Sequence, residues 1–534
     1  MNDIPQTARA VQLVGPEKIE LNPAKPVPNP GRRQLLAKVE AVGLCFSDLK
    51  LLKQFSQHTR KSAITGGIGL QALAEMPNYV PGDKPTVPGH EAVVRIVKVG
   101  QGVDRYKIGE RFLVQTDYRW LPTEKSNAAF GYNFEGALQE YVLLDERVIT
   151  SPEGESMLIP APEDLSASAL ALIEPWACVE NAYTEVQRRT LKPGGRLLVA
   201  GDAPVDRAAV ERCPGRPTST DFATGGSVGE LPDGTYDDVV YFGADPATVE
   251  KLFAKLAARG LLTIVQGGRK FGRPVDAQVG RVHYGGVRVI GTAGADPAAA
   301  FAAIPASPEI RPADKINIVG AAGPMGTMHV IRDLCRGVPD VAVYAGDLND
   351  ERLAELRDLA GPLARRNQVA FHSYNPSKDS LDETFNYIVL MAPVAALVGQ
   401  AITASEKNAI INIFAGIPAE TTAALDLDAY VEKQLYFVGT SGSDLKDMKR
   451  VLAKVASREL DTNFSVAAVS GLDGAIDGIR AVEKNLLAGK ILVYPSCRDL
   501  KLTALRELGS EAPLESGRWS AEAETALLRR FAEP

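Results

Sequence analysis

The sequence predicts an α/β chain in which a β-rich N-terminal unit precedes two tandem strand-helix units with parallel sheets, the first of them shortened. Three observations carry this. Residues 1 to about 160 are short apolar runs, LLAKVEAVGL, HEAVVRIVKVG, RFLVQT and LQEYVLL, broken by Gly and Pro, as in a compact β unit. From about residue 165 a helical stretch, Ser166 to Arg189, gives way to KPGG and the strand LLVAG, after which apolar strands alternate with helices. Finally, segments recur at one spacing. VRVIGTAGAD, ending at Asp296, matches LYFVGTSGSD, ending at Asp444, 148 residues on. LLTIVQGG (261–268) matches AIINIFAG (409–416), and DDVVYF (237–242) matches FNYIVL (385–390), in the same register. Three segments in one register point to a duplication, with the apolar strands that any strand-helix protein repeats as the alternative.

The opening strands break that register. LLVAG at 197–201 and INIVG at 316–320 lie 119 apart rather than 148, so the first copy is short by about 29 residues in its first half. The copies are placed at 191–312 and 313–466, after a β-rich domain at 1–190. An extension at 498–534 contains SAEAETALLRRF, which reads as an N-capped amphipathic helix.

Size and charge exclude several functions. A chain of 534 residues has room for three or four domains, each able to bury a core. With 59 Lys+Arg against 66 Asp+Glu, a net charge of −7, there is no basic face for a phosphate backbone, and no window approaches the ~18 apolar residues of a membrane span. Neither nucleic acid nor membrane is an expected partner. The opening MNDIPQTARAVQLV has no cationic stretch followed by an apolar run, so a cytoplasmic protein is expected. Its five cysteines stand singly, without CxxC spacing, and are expected to stay reduced.

A dinucleotide-binding unit needs a strand, a glycine-rich turn, a helix whose first N–H groups hold the pyrophosphate, and an acid ending the second strand. The second copy has each part. Strand INIV precedes Gly320-Ala-Ala-Gly323-Pro324-Met325-Gly326, a helix is expected from about Met325 to Arg336, strand VAVYAG follows, and Asp347 ends it, 21 residues after Gly326. That carboxylate can accept both ribose hydroxyls of NAD and repel a 2′-phosphate. Arg352, one turn on, weakens the preference without reversing it. A plain strand-helix turn with incidental glycines is the alternative. The first copy has Gly201-Asp-Ala-Pro-Val-Asp206 at the same turn, with two carboxylates where a pyrophosphate would sit, and its missing stretch is expected to include the ribose-binding strand. It is read as structural. Both copies are thus Rossmann-like, doubly wound units, the first truncated.

Chemistry-bearing residues cluster in the N-terminal part. VEAVGLCFSDLK holds Cys45, Ser47 and Asp48; VPGHEAVV holds His90 and Glu91; ALIEPWACVENAY holds Glu174. Singly each is weak, since a lone Cys is usually a small buried hydrophobe. Together with Gly323-Pro-Met-Gly326, the strand-end Asp347 and the terminal Gly489-Lys490-Ile-Leu-Val, they resemble the zinc-dependent medium-chain alcohol dehydrogenases, whose GroES-like catalytic domain precedes a Rossmann domain. The resemblance covers about residues 8–200 and 313–497. It implies a GroES-like domain at 1–190 completed by about 467–497, with Cys45, His90 and Glu174 as ligands of catalytic zinc and Glu91 as an alternating or nearby ligand. It further implies that Ser47 passes the alcohol proton outward and that Asp48 orients the metal-bound histidine.

Departures from that family sharpen the expectations. The segment after His90 lacks four closely spaced cysteines, so one zinc per chain and no structural zinc is expected. Lys50 stands where many relatives carry a relay histidine, and Val94 replaces a usual glycine. The loop between Asp48 and His90 carries Lys50, Lys53, Arg60, Lys61 and Lys84 against Glu75 and Asp83, enough to hold an anionic polyol such as a sugar phosphate, although a solvated loop is the plainer reading. RFLVQT, GYNFEGALQEYVLL, EPWAC and Lys50 resemble sorbose-1-phosphate reductases, a sugar-phosphate branch of the superfamily. Tyr118, Trp120 and Tyr132 are candidates for the pocket wall. The implied reaction is hydride transfer between NAD(H) and a secondary alcohol or ketone of a polyol, sugar or sugar phosphate. Two alternatives stand beside it: a polyol or amino-alcohol dehydrogenase without phosphate specificity, and a non-catalytic NAD-binding scaffold. The retained strands VRVIGT (287–292) and LYFVGT (435–440) are expected to cover one another's edges within one polypeptide, a monomeric pseudo-dimer, with a homo-oligomer as the competing arrangement.

Overall fold

The computed structural model describes residues 4–202, 205–440, 442–509, 512–515 and 517–532. The chain divides into two units, Met1–Ala177 with Ser443–Pro534, and Cys178–Gly442.

The first unit is built on an eight-stranded sheet whose middle strand, Gln34–Gly43, is apolar on both faces: Leu35, Leu36, Ala37, Val39, Ala41 and Val42 are all buried. It pairs antiparallel with Glu91–Val99 and Tyr141–Asp145, and its last residues pair with Lys490–Val493. Val466–Ser470 and Thr503–Ala504 continue the sheet on that side, Arg111–Val114 and Leu158–Pro160 on the other. Strands after residue 465 therefore finish a sheet begun before residue 44. Two register shifts in the central pair, at Leu36/Ala37 and Val39/Ala41, place Gly43 opposite Glu91.

The helical stretch expected from Ser166 to Arg189 is two helices, Ala167–Ala171 and Ile173–Thr184, and it ends five residues early. The last residues are drawn into tertiary bonds instead. The Gln187 N–H donates to Ala306 O, and the Arg188 guanidinium donates to Asp238 at 2.7 Å.

The second unit holds two parallel sheets. The six-stranded one runs Ala370–Tyr374, Ala342–Gly346, Lys315–Val319, Phe385–Leu390, Ser405–Ile413, Tyr436–Val438, and the five-stranded one Ser219–Thr224, Arg196–Gly201, Tyr236–Phe242, Leu256–Val265, Arg288–Thr292. One correction follows. The strand expected to be lost from the first copy is present: Ser219–Thr224 pairs with Arg196–Gly201 as Ala342–Gly346 pairs with Lys315–Val319. Its polar sequence STDFAT, exposed at a sheet edge, hides it. The deficit falls elsewhere. The first helix has 6 residues against 12, and the 18-residue helix Asp350–Asn367 with its strand Ala370–Tyr374 has no counterpart; a short 3-10 turn, Gly225–Glu230, stands there instead.

The two copies share one apolar core, in which Val287, Val289, Tyr430, Val431 and Phe437 take part. Their meeting is pseudo-symmetric. Val275–Ala277 pairs antiparallel with Ala423–Leu425, segments 148 residues apart. A side chain on Gly291 would meet Val431, and one on Gly439 would meet His283, the same two positions exchanged at that spacing. The edges VRVIGT and LYFVGT lie together as expected, yet no backbone ladder joins them among the described residues. A side chain takes the place of one: the Tyr430 hydroxyl donates to Val289 O at 2.9 Å. No described helix is long and apolar enough to cross a membrane.

Candidate active site

Cys45 is the N-cap of the helix Phe46–Gln54, in extended conformation with φ −119°. Asp48, on the first turn, makes the joint that holds this site together. Its Oδ2 accepts the Cys45 N–H at 2.9 Å, and its Oδ1 accepts the Gly89 N–H at 3.0 Å. One buried carboxylate thus ties the cysteine's helix to the segment carrying His90. Burial alone would raise its pKa, but His90 and the two N–H donors outweigh this and hold it below the ordinary value. His90 Nδ1 lies 3.5 Å from Asp48 Oδ1, beyond a good hydrogen bond, and the ring packs against Tyr132 with centroids 5.7 Å apart.

Cys45, His90 and Glu91 form the one group of three or more His, Cys, Asp or Glu, among the described residues, whose donor atoms converge, all within 4.8 Å of one another. Glu91 is fully buried. Lys490 Nζ, itself buried, donates to its Oε1 at 2.5 Å and to Leu44 O at 2.7 Å. A Cβ on Gly43 would come within 2.1 Å of the other oxygen, Oε2, which has no hydrogen-bond partner. The glycine is therefore required for that carboxylate to lie where it does.

Glu174 stands outside the converging group, in the first turn of Ile173–Thr184. Burial pushes its carboxyl up to about 7, with His90 and Lys490 pulling down and Glu91 pushing up, so it lies within electrostatic reach of all three. A thiol, an imidazole and two carboxylates beside a single lysine make a donor set that a divalent cation balances. Zinc takes such mixed S, N and O ligands. The residues present fit that ion.

Ser47 and Lys50 are half buried on the same short helix, where Lys50 Nζ lies 5.5 Å from the Phe46 ring centroid. Of the aromatic candidates, Tyr132 stacks on His58 as well as packing on His90, whereas Tyr118 packs against Trp120 and Phe134. The cations of the 48–90 loop do not assemble into an anion cradle. Lys53 pairs with Glu483 at 2.8 Å and Arg60 with Asp117 at 2.6 Å. Lys61 is buried, donating to the Val80 and Lys84 carbonyls, and burial lowers its amine to about 7. Sequence reading did not find the Lys490–Glu91 pair: 399 residues separate its members, and only the Gly489-Lys490 motif marked the spot.

In the second copy the glycine turn stands open. Gly320 has φ 84°, a left-handed value, and a Cβ on Gly326 would meet Gly320 O at 2.5 Å and Ala321 O at 2.7 Å, while at Gly323 only Gly320 O, 3.9 Å away, is near. The helix Pro324–Cys335 starts there with Pro at its first position and Met325 in its first turn. Asp347 is buried and already engaged: it accepts the Ala322 N–H at 3.1 Å, the Asn349 N–H at 3.0 Å and Arg352 at 3.0 Å. In the first copy Asp206 caps the short helix Arg207–Arg212. Asp202 folds onto its own sheet, accepting from the Tyr241 hydroxyl and, at 3.2 Å, from Thr248 Oγ1. Residues 203 and 204 of that turn lie outside the described residues.

Comparison with known proteins agrees with this geometry. Residues 31–153 match the alcohol dehydrogenase GroES-like domain. The chain is 29% identical over 219 residues to sorbitol dehydrogenase of Bacillus subtilis, covering 39% of this chain and 52% of that one. It is 30% identical over 228 residues to an uncharacterised zinc-type alcohol dehydrogenase-like protein of Escherichia coli, covering 40% and 56%. The chain thus spans about half the length of these curated relatives. The crystal structure of 2R,3R-butanediol dehydrogenase from Bacillus subtilis superposes with a TM-score of 0.51 at 17% identity, over 92% of this chain and 100% of that one, a likeness of fold. Taken with the sheets and the Cys45, His90 and Glu91 cluster, these matches show an alcohol dehydrogenase GroES-like domain joined to Rossmann-like parallel sheets, in a chain similar over part of its length to zinc-type and polyol dehydrogenases.

Proposed function

We propose that the chain is a zinc-dependent oxidoreductase that transfers a hydride between NAD(H) and a secondary alcohol or ketone of a polyol or sugar. The observation that most supports this is the convergence of Cys45, His90 and Glu91, with Glu174 beside them, in a chain that also carries an open glycine turn ending at Asp347. In this reading Cys45, His90 and Glu174 hold one zinc, and Glu91, pinned by Lys490, stands next to it or alternates with Glu174. When bound, zinc supplies Lewis-acid polarisation of the substrate oxygen and NAD supplies the hydride acceptor. Asp48 ties the backbone beside His90, at Gly89, to the start of the Cys45 helix, so that both ligands keep one geometry. Ser47 takes the alcohol proton at Oγ and passes it outward, with Lys50 one turn further along the helix.

Gly320, Gly323, Pro324, Met325 and Gly326 form the turn over which the pyrophosphate lies, and Asp347 accepts the ribose hydroxyls. Arg352, bonded to Asp347, offers a 2′-phosphate a partner, so the preference for NAD over NADP is modest. The pairing of Lys53 and Arg60 and the burial of Lys61 favour an unphosphorylated substrate over a sugar phosphate. A screen of polyols, sugar phosphates and their ketones with both cofactors, together with metal analysis, tests the reading. One zinc per chain and NAD-linked turnover of an unphosphorylated polyol are expected. Two zinc ions per chain would overturn the ligand set, and NADH binding without turnover of any substrate would overturn the catalytic reading.

A further inference from the structure

We propose that Glu524, in the C-terminal extension, is a positioning residue for Glu174: the tail's carboxylate fixes the short helix that delivers Glu174 to the metal. This rests on the reading of Glu174 as a ligand.

The extension ends in the helix Ala521–Phe531, capped by Ser520, whose Oγ accepts the Ala523 N–H. Its inner face, Ala523 and Leu527, is fully buried, and Trp519 just before it is buried with its ring 6.3 Å from Tyr494. On that inner face sits a charge. Glu524 is 6% exposed, and among the described residues its carboxylate meets no cation. It caps another helix instead: Oε1 accepts the Ala167 N–H at 2.7 Å, and Oε2 accepts the Ser168 N–H at 2.7 Å and the Tyr494 hydroxyl at 2.9 Å. Ser166 Oγ accepts the next N–H, that of Ala169. All three leading donors of Ala167–Ala171 are thereby satisfied, two of them from a segment over 350 residues away. A buried carboxylate is costly to keep in place for packing alone, since an apolar side chain would pack without that cost.

What the cap holds is the path to Glu174. Leu172 N–H donates to Ser168 O, and Trp176 N–H donates to Leu172 O, both at 3.2 Å. One continuous run of helical bonds therefore leads from the residue that Glu524 grips to the turn that carries Glu174. On its other side the run is gripped by Thr462 Oγ1, which donates to Ala169 O at 2.7 Å, and by Ser465 Oγ, which accepts from Trp176 Nε1 at 3.1 Å. The tail supplies the second jaw of that clamp. Tyr494, the third partner of Glu524, directly follows Lys490–Val493, whose Lys490 pins Glu91. A single tail carboxylate thus joins the two segments that bring the two glutamates to the site.

The test reads zinc release rather than activity. Full-length chain loaded with zinc is mixed with excess chromophoric chelator, and the release rate is measured for wild type, Glu524→Ala, Glu524→Gln, Glu174→Ala and the Glu174→Ala/Glu524→Ala double variant. Glu524→Ala is expected to release zinc at least about tenfold faster, with Glu524→Gln between it and wild type because an amide oxygen still accepts one N–H. In the double variant Glu524→Ala should add nothing, because its effect runs through Glu174. Ile159→Ala, a core truncation in a different strand, controls for general loosening and should release zinc near the wild-type rate. Release from Glu524→Ala no faster than from Ile159→Ala, or a full additional effect in the double variant, overturns the proposal. Should Glu524→Ala fail to fold, Glu524→Gln carries the same comparison. A wild type that binds no zinc would instead remove the reading of the site itself.

Discussion

The two Rossmann-like copies have kept the same lower half and diverged in the upper one. Where they meet, they still obey the 148-residue spacing: Val275–Ala277 against Ala423–Leu425, Gly291 against Val431, Gly439 against His283. Around the nucleotide turn they have parted. The second copy leaves its turn open at Gly323 and follows it with a 12-residue helix. The first fills its own: a Cβ on Gly225 or Gly243 would come within 2.0 or 2.3 Å of the Asp202 carboxylate, and by the strand registers Asp202 stands where the other copy has Gly320. An anion supplied by the chain occupies the place where an anionic cofactor would have to approach. The contacts that pair the copies and the shape of the glycine turn have thus diverged independently: the first copy keeps the pairing contacts and fills its turn with the Asp202 carboxylate.

The largest test of that comparison concerns the paired edge. Val438 is 1% exposed, covered within the chain, so Val438→Asp should bury an unpaired carboxylate and cost on the order of 3–5 kcal/mol of stability. Light scattering at micromolar concentration should show a monomer for the wild type. A wild-type dimer that the substitution splits into stable monomers would show that the edges pair between chains. Next comes the cofactor turn. Gly326→Val drives a branched side chain against two backbone carbonyls that cannot yield, and NAD affinity by calorimetry should fall at least about 100-fold, ~2.7 kcal/mol. Unchanged affinity would move the cofactor site away from the second copy. A smaller effect belongs to Asp347→Ala, expected to lose about tenfold in NAD affinity and most of the discrimination against NADP, about 1.4 kcal/mol. Discrimination that survives the substitution would assign selectivity to another residue.

How much of this was legible depended on where the determining partner lay. The open turn could be read because its parts, Gly320 to Asp347, are contiguous and each has a local conformational reason. Cys45, Asp48 and His90 were legible as a motif, and the bonds from the Cys45 and Gly89 N–H groups to Asp48 give that motif its physical content. Long-range choices were not. Which glutamate converges with Cys45 and His90 is decided by Lys490, far along the chain, and by the lack of a side chain at Gly43. The loop's positive charge was counted correctly, yet charge counted along a sequence says nothing of the Glu483 and Asp117 carboxylates that absorb it. The strand Ser219–Thr224 was invisible because a sheet's exposed edge needs no apolar alternation.

The smallest expected effect is the one that isolates the divergence of the copies. Asp202→Ala removes the carboxylate that accepts from Tyr241 and Thr248; Asp245 still accepts from Thr248 Oγ1 at 2.7 Å and still donates its N–H to the Tyr241 hydroxyl, so the loss of stability should be about 1 kcal/mol. Cofactor stoichiometry should stay at one NAD per chain. Removing the acid frees the space, but a binding site needs more than space: the first helix has 6 residues rather than 12, and just past Ser219–Thr224, at the position where the other copy presents Asp347 just past Gly346, there is Gly225. The measurement is calorimetric titration of the variant with NAD beside a thermal melt. A second NAD bound by Asp202→Ala would mean that one carboxylate alone separates the two copies, and that the first retains a latent nucleotide site.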